Sequence, residues 1–163
     1  MACRVTDYMK LEWIAPDLKA HDKPSVLLEI ATHLSRATPS IDLMELHSKL
    51  LEREQKASTG ADHGVAIPHA TIDSADRIIV LFGKSEQGIP FNALDNLNST
   101  LFFTVISPST PRPGDANYLQ LISTICRLMR SASMRERLTS TGSAKEILEI
   151  LRKEEEHKLG LSS

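Results

Sequence analysis

The sequence is poor in aromatic residues, cysteine and long apolar runs. Aromatic residues make up 4% of its 163 residues, so few rings are available to stack on nucleic-acid bases. Its two cysteines, Cys3 and Cys126, have neither a metal-binding nor a redox spacing. No apolar run approaches the roughly 18 residues that cross a membrane, and residues 1–10 lack the apolar core of a signal peptide. These shortages predict a cytoplasmic protein without direct membrane insertion.

The chain also lacks a large excess of either charge. Its formal net charge is -2, whereas nucleic acids and anionic membranes attract basic clusters. We therefore expect no nucleic-acid partner. Hydrophobic residues make up 41% of the sequence, and a chain of this length can bury a substantial core. Length and composition together predict a single domain over residues 1–163.

Helix signals lie towards both ends of the chain, and strand signals lie between them. A helix start combines a capping Ser or Asp with apolar residues three or four positions apart. Uninterrupted branched and aromatic runs are typical of strands buried on both faces. The patterns predict helices beginning at Asp22, Ser40, Ser131 and Ser143, another helix over residues 121–129, and strands over 65–67, 77–82 and 101–106. This order predicts an α/β fold in which helices cover a small mixed sheet.

One tight loop carries the residues best suited to phosphoryl chemistry. Of the six histidines, only His63 and His69 flank such a loop. The neutral ring of histidine is a nucleophile that titrates near neutral pH. Pro68 fixes its own φ and restricts the residue before it, so His69 follows a stiff strand end. The bland alternative is an ordinary proline turn after a strand.

Residues around this loop could hold an anion. Gly60 and Gly64 allow a close backbone approach, and Ser58 and Thr59 offer hydroxyl donors. Arg53, just upstream, could bind phosphate through two parallel hydrogen bonds, unless it is simply a solvated helix end. Positioning and charge neutralisation are most of what phosphoryl transfer needs from a protein.

Several motifs together resemble a known family. They are Leu51-Glu52-Arg53-Glu54, Ser58-Thr59-Gly60, Gly64-Val65-Ala66-Ile67-Pro68-His69, Ile89-Pro90-Phe91-Asn92-Ala93-Leu94-Asp95, Leu119-Gln120 and Glu146-Ile147-Leu148. The sequence resembles the EIIA domain of the fructose/mannitol class of the bacterial phosphotransferase system. It is most similar to free-standing nitrogen-regulatory EIIA proteins. The resemblance spans a core of about residues 9–151 and leaves a charged helix end and tail over residues 152–163.

The resemblance implies a fold, a function and partners. The fold is a mixed β-sheet flanked by helices on both sides. His69 is the implied phosphoacceptor, and Arg53 is the implied basic residue beside it. The phosphoryl donor would be a phosphorylated HPr-type carrier, and the receiver an EIIB subunit or a regulatory target protein. No cofactor and no metal are implied.

The sequence departs from the family pattern at two places. Family members often carry a second histidine immediately before the Leu-Gln pair, where this chain has Tyr118. A tyrosine hydroxyl can donate a hydrogen bond to a phosphoryl oxygen but does not titrate near neutral pH. Asp62 and His63 also replace residues that are usually small and uncharged. One hypothesis is that His63 takes over part of the missing histidine's role; the other is that it is a solvent-facing loop residue.

Three further functions compete with a nitrogen-regulatory phosphocarrier. A sugar-specific EIIA for fructose or mannitol fits the same motifs, although no membrane segment and no room for a fused EIIB or HPr domain are seen. A regulatory binding module that has lost phosphotransfer would fit Asp62 and Tyr118, but not the retained His69 and Arg53. A metal hydrolase using Asp62, His63 and His69 would need three or four converging ligands.

Overall fold

The computed structural model describes residues 3–158. Within them the chain forms five strands, five α-helices and two short 3-10 turns, Val5–Tyr8 and Leu11–Trp13. The strands are β1 (Ile14–Ala15), β2 (Val65–Ala66), β3 (His69–Ile72), β4 (Ile79–Ile89) and β5 (Ser99–Pro108). The helices are α1 (Lys23–Ala37), α2 (Leu43–Lys56), α3 (Tyr118–Met129), α4 (Ala132–Ser140) and α5 (Ala144–Lys158). The end of the predicted tail, 159–163, and residues 1–2 lie outside the described residues.

The strands form one mixed sheet. Its order is β1-β4-β5-β2, and β3 also pairs with β5 beyond β2. The long strands β4 and β5 are antiparallel, with Phe82 opposite Phe103, whereas the other pairings are parallel. Because β2 and β3 pair with β5 in the same register, the chain continues along β5 through Ile67 and Pro68. His69 therefore begins β3 opposite Val105.

Alternating residues of the central strands face two separate cores. One core contains Ile79, Leu81, Phe102 and Ile106 under α1 and α2. The other contains Val80, Phe82, Phe103 and Val105 under α3, α4 and α5. Since both faces are covered by helices, these strands are apolar at nearly every position. The predicted fold class is confirmed.

The helix ends follow the capping signals with one correction. The carboxylate of Asp22 accepts a hydrogen bond of 2.8 Å from the Ser25 amide, as predicted. The cap of α2 is Asp42, not Ser40: its carboxylate accepts a 3.0 Å bond from the Glu45 amide. Ser40 lies in the turn before it and is too early to reach the first free amides. Among residues 3–158, no helix combines the length and apolar character needed to cross a bilayer.

A buried carboxylate joins the first and last parts of the described chain. Glu155 of α5 is 4% exposed. It accepts hydrogen bonds of 2.7 Å from the Val5 amide, 2.9 Å from the Thr6 amide and 2.7 Å from the Thr6 hydroxyl. The charged helix end that the sequence predicts beyond residue 151 thus contributes a buried residue.

Candidate functional site

The ring of His69 is held by the backbone just before it. Its Nδ1 lies 3.0 Å from the carbonyl oxygen of Ile67, two residues earlier. A carbonyl oxygen can only accept a hydrogen bond, so this contact assigns the ring proton to Nδ1. Nε2 is then unprotonated and carries the in-plane lone pair of the ring. Pro68, between the two residues, restricts the backbone that links them.

Arg53 holds the opposite nitrogen of the same ring. It lies in the last turn of α2, and its Nε donates a hydrogen bond of 3.0 Å to Nε2 of His69. Its Nη1 donates a second bond of 2.9 Å to the carbonyl oxygen of Ala57. Because a guanidinium group only donates, this contact independently requires an unprotonated Nε2. Two contacts thus agree on one tautomer of His69.

The surroundings of His69 favour its neutral form. Partial burial is the main cause that lowers the pKa of His69 below its ordinary value of 6.5. The hydrogen bond to Ile67 opposes this shift, the positive charge of Arg53 adds to it, and the negative charge of Glu54 opposes it. The net direction is downward, so the ring carries a nucleophilic lone pair at neutral pH.

His69 opens into a cleft of about 280 Å³, here called the His69 cleft. The first residue of α3, Tyr118, forms part of its wall. The rings of Tyr118 and His69 are stacked, with centroids 5.8 Å apart and planes inclined by 25°. The charged residues of the wall are Lys49, Glu52, Arg53 and Lys56. Three cations face one carboxylate, so the cleft favours an anion over a cation.

The structure does not bring the predicted phosphate loop to this cleft. The hydroxyl of Ser58 donates a 2.5 Å bond to the carbonyl of Phe91, and the Gly60 amide donates a 3.0 Å bond to that hydroxyl. The Thr59 amide and hydroxyl both donate to Glu54, at 2.8 and 2.6 Å. Their donors are therefore engaged in holding the loop, and they do not line the wall around His69.

The two glycines of the loop have structural reasons of their own. A Cβ atom on Gly60 would lie 3.0 Å from the carbonyl oxygen of Phe91. Gly64 has a φ of 78°, a conformation that favours glycine. Its carbonyl accepts bonds of 2.8 and 3.1 Å from the amides of Thr100 and Leu101. Both glycines therefore fix the path of the loop against the sheet rather than line the His69 cleft.

His63 and Asp62 lie elsewhere. They line a second cleft of about 350 Å³, here called the His63 cleft, together with Met129 at the end of α3 and Arg130 after it. The His63 amide donates a 2.9 Å bond to the carboxylate of Asp95. Asp62, His63 and His69 therefore do not converge as the metal-hydrolase alternative requires. Over residues 3–158, no group of three or more His, Cys, Asp or Glu side chains is placed to hold a metal ion.

Sequence reasoning missed one residue of the site, Glu54. It is 8% exposed and accepts a 2.9 Å bond from Nζ of Lys23 in addition to the two donors of Thr59. Its position carried a signal, because Leu46, Leu50 and Glu54 follow one another at four-residue spacing on the buried face of α2. A carboxylate on such a face needs buried partners.

The chain matches, over residues 7–154, the family described as "Phosphoenolpyruvate-dependent sugar phosphotransferase system, EIIA 2". The chain belongs to this EIIA family. A nitrogen regulatory protein of Bradyrhizobium diazoefficiens is 29% identical over 147 residues, which cover 90% of this chain and 94% of that relative. A fructose-specific EIIA component of Haloferax volcanii is 34% identical over 102 residues, 63% of this chain and 64% of that relative.

Solved structures of EIIA proteins have the same fold. The crystal structure of the nitrogen regulatory protein IIA-Ntr from Neisseria meningitidis matches with a TM-score of 0.80 and 26% identity, covering 90% of this chain and 98% of that one. Enzyme IIAMtl from Escherichia coli, solved in complex with phosphorylated enzyme IIBMtl, matches with a TM-score of 0.72 and 22% identity, covering 89% of this chain and 99% of that one. The EIIA resemblance seen in the sequence is confirmed.

Proposed function

We propose that this EIIA protein is a phosphocarrier in which Nε2 of His69 accepts a phosphoryl group. The observation that carries the proposal is the pair of contacts on the ring. Ile67 holds the proton on Nδ1, and Arg53 directs a cation at Nε2. A neutral imidazole whose unprotonated nitrogen lies next to a guanidinium group is what a phosphoryl acceptor needs.

In the proposed transfer, the phosphoryl group moves from a phosphohistidine nitrogen of the donor protein to His69. One nitrogen–phosphorus bond is exchanged for another. The lone pair of His69 Nε2 attacks the phosphorus from the side opposite the donor nitrogen. The new N–P bond forms while the old one breaks, and the donor nitrogen keeps the electron pair of the broken bond. The proton on Nδ1 stays in its bond to Ile67. The ring thus becomes positively charged, which makes Nε2 a good leaving group for onward transfer.

The phosphoryl donor in this proposal is a phosphorylated HPr-type carrier in the cytoplasm. The receiver is an EIIB subunit or a regulatory target protein. The solved complex of IIAMtl with phosphorylated IIBMtl supports a protein partner of this kind. The similarity to nitrogen regulatory proteins, over 90% of this chain for the Bradyrhizobium relative, favours a regulatory role. The fructose-specific relative keeps a sugar-specific EIIA as the second candidate.

Two wall residues complete the proposed site. Arg53 neutralises charge on the phosphoryl oxygens once the group arrives. Tyr118 has its ring stacked on His69 and is 39% exposed, so its hydroxyl can reach into the cleft and donate to a phosphoryl oxygen. His63, which lies in the other cleft, has no part in the step.

The test is phosphorylation by phosphoenolpyruvate, enzyme I and HPr, followed by intact mass spectrometry. We expect one acid-labile phosphoryl group on the wild-type protein and none on His69→Ala. His21→Ala is the matched control, because His21 is exposed and does not line the His69 cleft. No phosphorylation under conditions that label a known EIIA would contradict the proposal and favour a binding module without phosphotransfer. Transfer onward to a fructose- or mannitol-type EIIB would favour the sugar-specific candidate.

A further inference from the structure

A closed ring of hydrogen bonds connects His69 to the residue that follows Arg53. His69 Nδ1 is bonded to the Ile67 carbonyl at 3.0 Å. The Ile67 amide donates a 3.0 Å bond to the carbonyl of Thr59. Thr59 in turn donates its amide and hydroxyl to the Glu54 carboxylate, at 2.8 and 2.6 Å. Since Arg53 is bonded to Nε2 of His69, the ring closes through the backbone of α2.

The carboxylate of Glu54 is also held by a contact outside this ring of hydrogen bonds. Nζ of Lys23, at the start of α1, lies 2.9 Å from its Oε1, and both side chains are largely buried. The same ammonium group lies 4.6 Å from the centre of the Phe91 ring. Phe91 also supplies the carbonyl that holds the hydroxyl of Ser58. Glu54 is thus an anchored anion, with a cation on one side and the loop on the other.

We propose that Glu54 is a positioning residue for His69 and that it determines which ring nitrogen receives the phosphoryl group. The inference rests on the proposed function of His69. By binding Thr59, Glu54 fixes the position of Ile67 relative to the end of α2. The carbonyl of Ile67 then holds the proton on Nδ1, and Nε2 remains the nucleophile.

The geometry gives the reason. The position of Ile67 depends on Thr59 because the Ile67 amide donates a backbone hydrogen bond to the Thr59 carbonyl. If Thr59 moves, the Ile67 carbonyl moves away from Nδ1, and the ring loses the contact that selects its tautomer. Arg53 accepts only an unprotonated Nε2 as its partner, but the Ile67 carbonyl is the group that holds the proton on Nδ1. A shift of about 1 Å in a reacting group can lower a rate about 100-fold.

The experiment reads the tautomer of His69 by nitrogen-15 NMR of the unphosphorylated protein, and separately the rate and site of phosphorylation. For Glu54→Gln we expect a mixture of the two ring tautomers, phosphorylation about tenfold or more slower, and some phosphoryl group on Nδ1. Glu54→Asp keeps the charge beside Lys23 but shortens the reach to Thr59. It should show a smaller change in the same direction.

The matched control is Glu45→Gln on the same helix. Glu45 also accepts two backbone bonds, from the amides of Asp73 and Ser74 at 2.7 and 3.0 Å, but it has no connection to Ile67. We expect it to lower stability and leave the tautomer of His69 unchanged. A second check is Thr59→Val, whose effect on the tautomer should largely disappear in the Glu54→Gln background.

The outcomes separate the two proposals. Wild-type tautomer and wild-type phosphorylation in a folded Glu54→Gln protein would overturn the positioning role. If that variant does not fold, the same result in Glu54→Asp would overturn it. A wild-type protein that accepts no phosphoryl group would instead overturn the proposed function, while the NMR measurement still decides whether Glu54 sets the tautomer.

Discussion

Nε of Arg53 lies 3.0 Å from Nε2 of His69, so the unphosphorylated protein already places a guanidinium group on the atom proposed to attack phosphorus. This contact occupies the only lone pair of the ring. In the proposed transfer, Arg53 must therefore turn from the nitrogen to the phosphoryl oxygens. Its second bond, to the Ala57 carbonyl, would hold the guanidinium group beside the cleft.

Replacing Arg53 should affect both the charge state and the rate. In Arg53→Gln, loss of the cation removes one of the causes that lower the pKa of His69, so the pKa should rise. Phosphorylation should slow about 100-fold, as when one charge-stabilising donor is removed from other active sites. NMR titration of His69 and a single-turnover assay measure the two effects. Arg77→Gln is the control, since Arg77 is paired with Asp76 at the surface. An unchanged pKa of His69 in Arg53→Gln would argue against the contact between the two side chains.

The lowered pKa of His69 gives a pH dependence with a definite sign. The folded protein binds the proton more weakly than the unfolded chain does, so stability contributed by neutral His69 is complete above about pH 6.5 and is lost as the pH falls through the folded pKa. We expect the free energy of unfolding to fall less in His69→Gln than in the wild type between about pH 7.5 and about pH 5. Urea unfolding at several pH values measures this difference. An equal fall in both proteins would contradict it.

Tyr118 should stabilise the phosphorylated form through its hydroxyl. A hydrogen bond to a charged group contributes about 1.5 to 3 kcal/mol, so Tyr118→Phe should lower the equilibrium level of phosphorylation about tenfold or more against the same donor. Tyr118→His, which restores the residue common in the family, should recover it. The control is Tyr8→Phe: Tyr8 accepts a 2.9 Å bond from the Ala116 amide and does not line the His69 cleft. A Tyr118→Phe protein with wild-type phosphorylation would leave the hydroxyl without a role.

His63 should be dispensable for phosphorylation because it lines the other cleft. The variant His63→Asn tests this with little strain, since the residue has a φ of 64° and asparagine tolerates such a conformation. We expect the rate of phosphorylation and the lifetime of the phosphohistidine to stay at the wild-type values. A clear decrease in either would revive the hypothesis that His63 replaces the family's second histidine.

Glu155 should be among the most important carboxylates for stability. Its replacement by glutamine leaves the amides of Val5 and Thr6 with weaker or missing acceptors in a buried place. We expect the free energy of unfolding to fall by about 2 to 4 kcal/mol. Glu156→Gln, next to it, should change stability by less than about 0.5 kcal/mol, because its contact with Arg4 is long at 3.9 Å. Similar losses in both variants would show that charge, rather than the buried contacts, matters.

Much of the fold could be predicted because its signals are local. The apolar runs of β4 and β5 and the cap at Asp22 are visible in short windows of sequence. By contrast, β1 has two residues and exists only because Ile14 and Ala15 pair with Phe82 and Gly83, far along the chain. Such a strand has no pattern of its own to recognise.

The site was predictable in its residue types but not in its connections. His69 and Arg53 were identified from their motifs, and they are indeed bonded. The sequence predicts that the hydroxyl of Ser58 binds a phosphate, whereas in the structure it donates to the carbonyl of Phe91, 33 residues later. Which partner a polar side chain meets depends on tertiary distance, and local sequence does not contain that distance. The ring of Tyr118 was placed near His69 only through the family resemblance.

The two cores described above give the site a further property. Arg53 belongs to a helix that packs on one face of the sheet, and Tyr118 belongs to a helix that packs on the other, yet both reach His69. The spacing between these two side chains therefore depends on how both helical layers pack against the sheet. A substitution deep in either core can therefore change the distance of Arg53 or Tyr118 from the ring of His69 without touching any residue of the site.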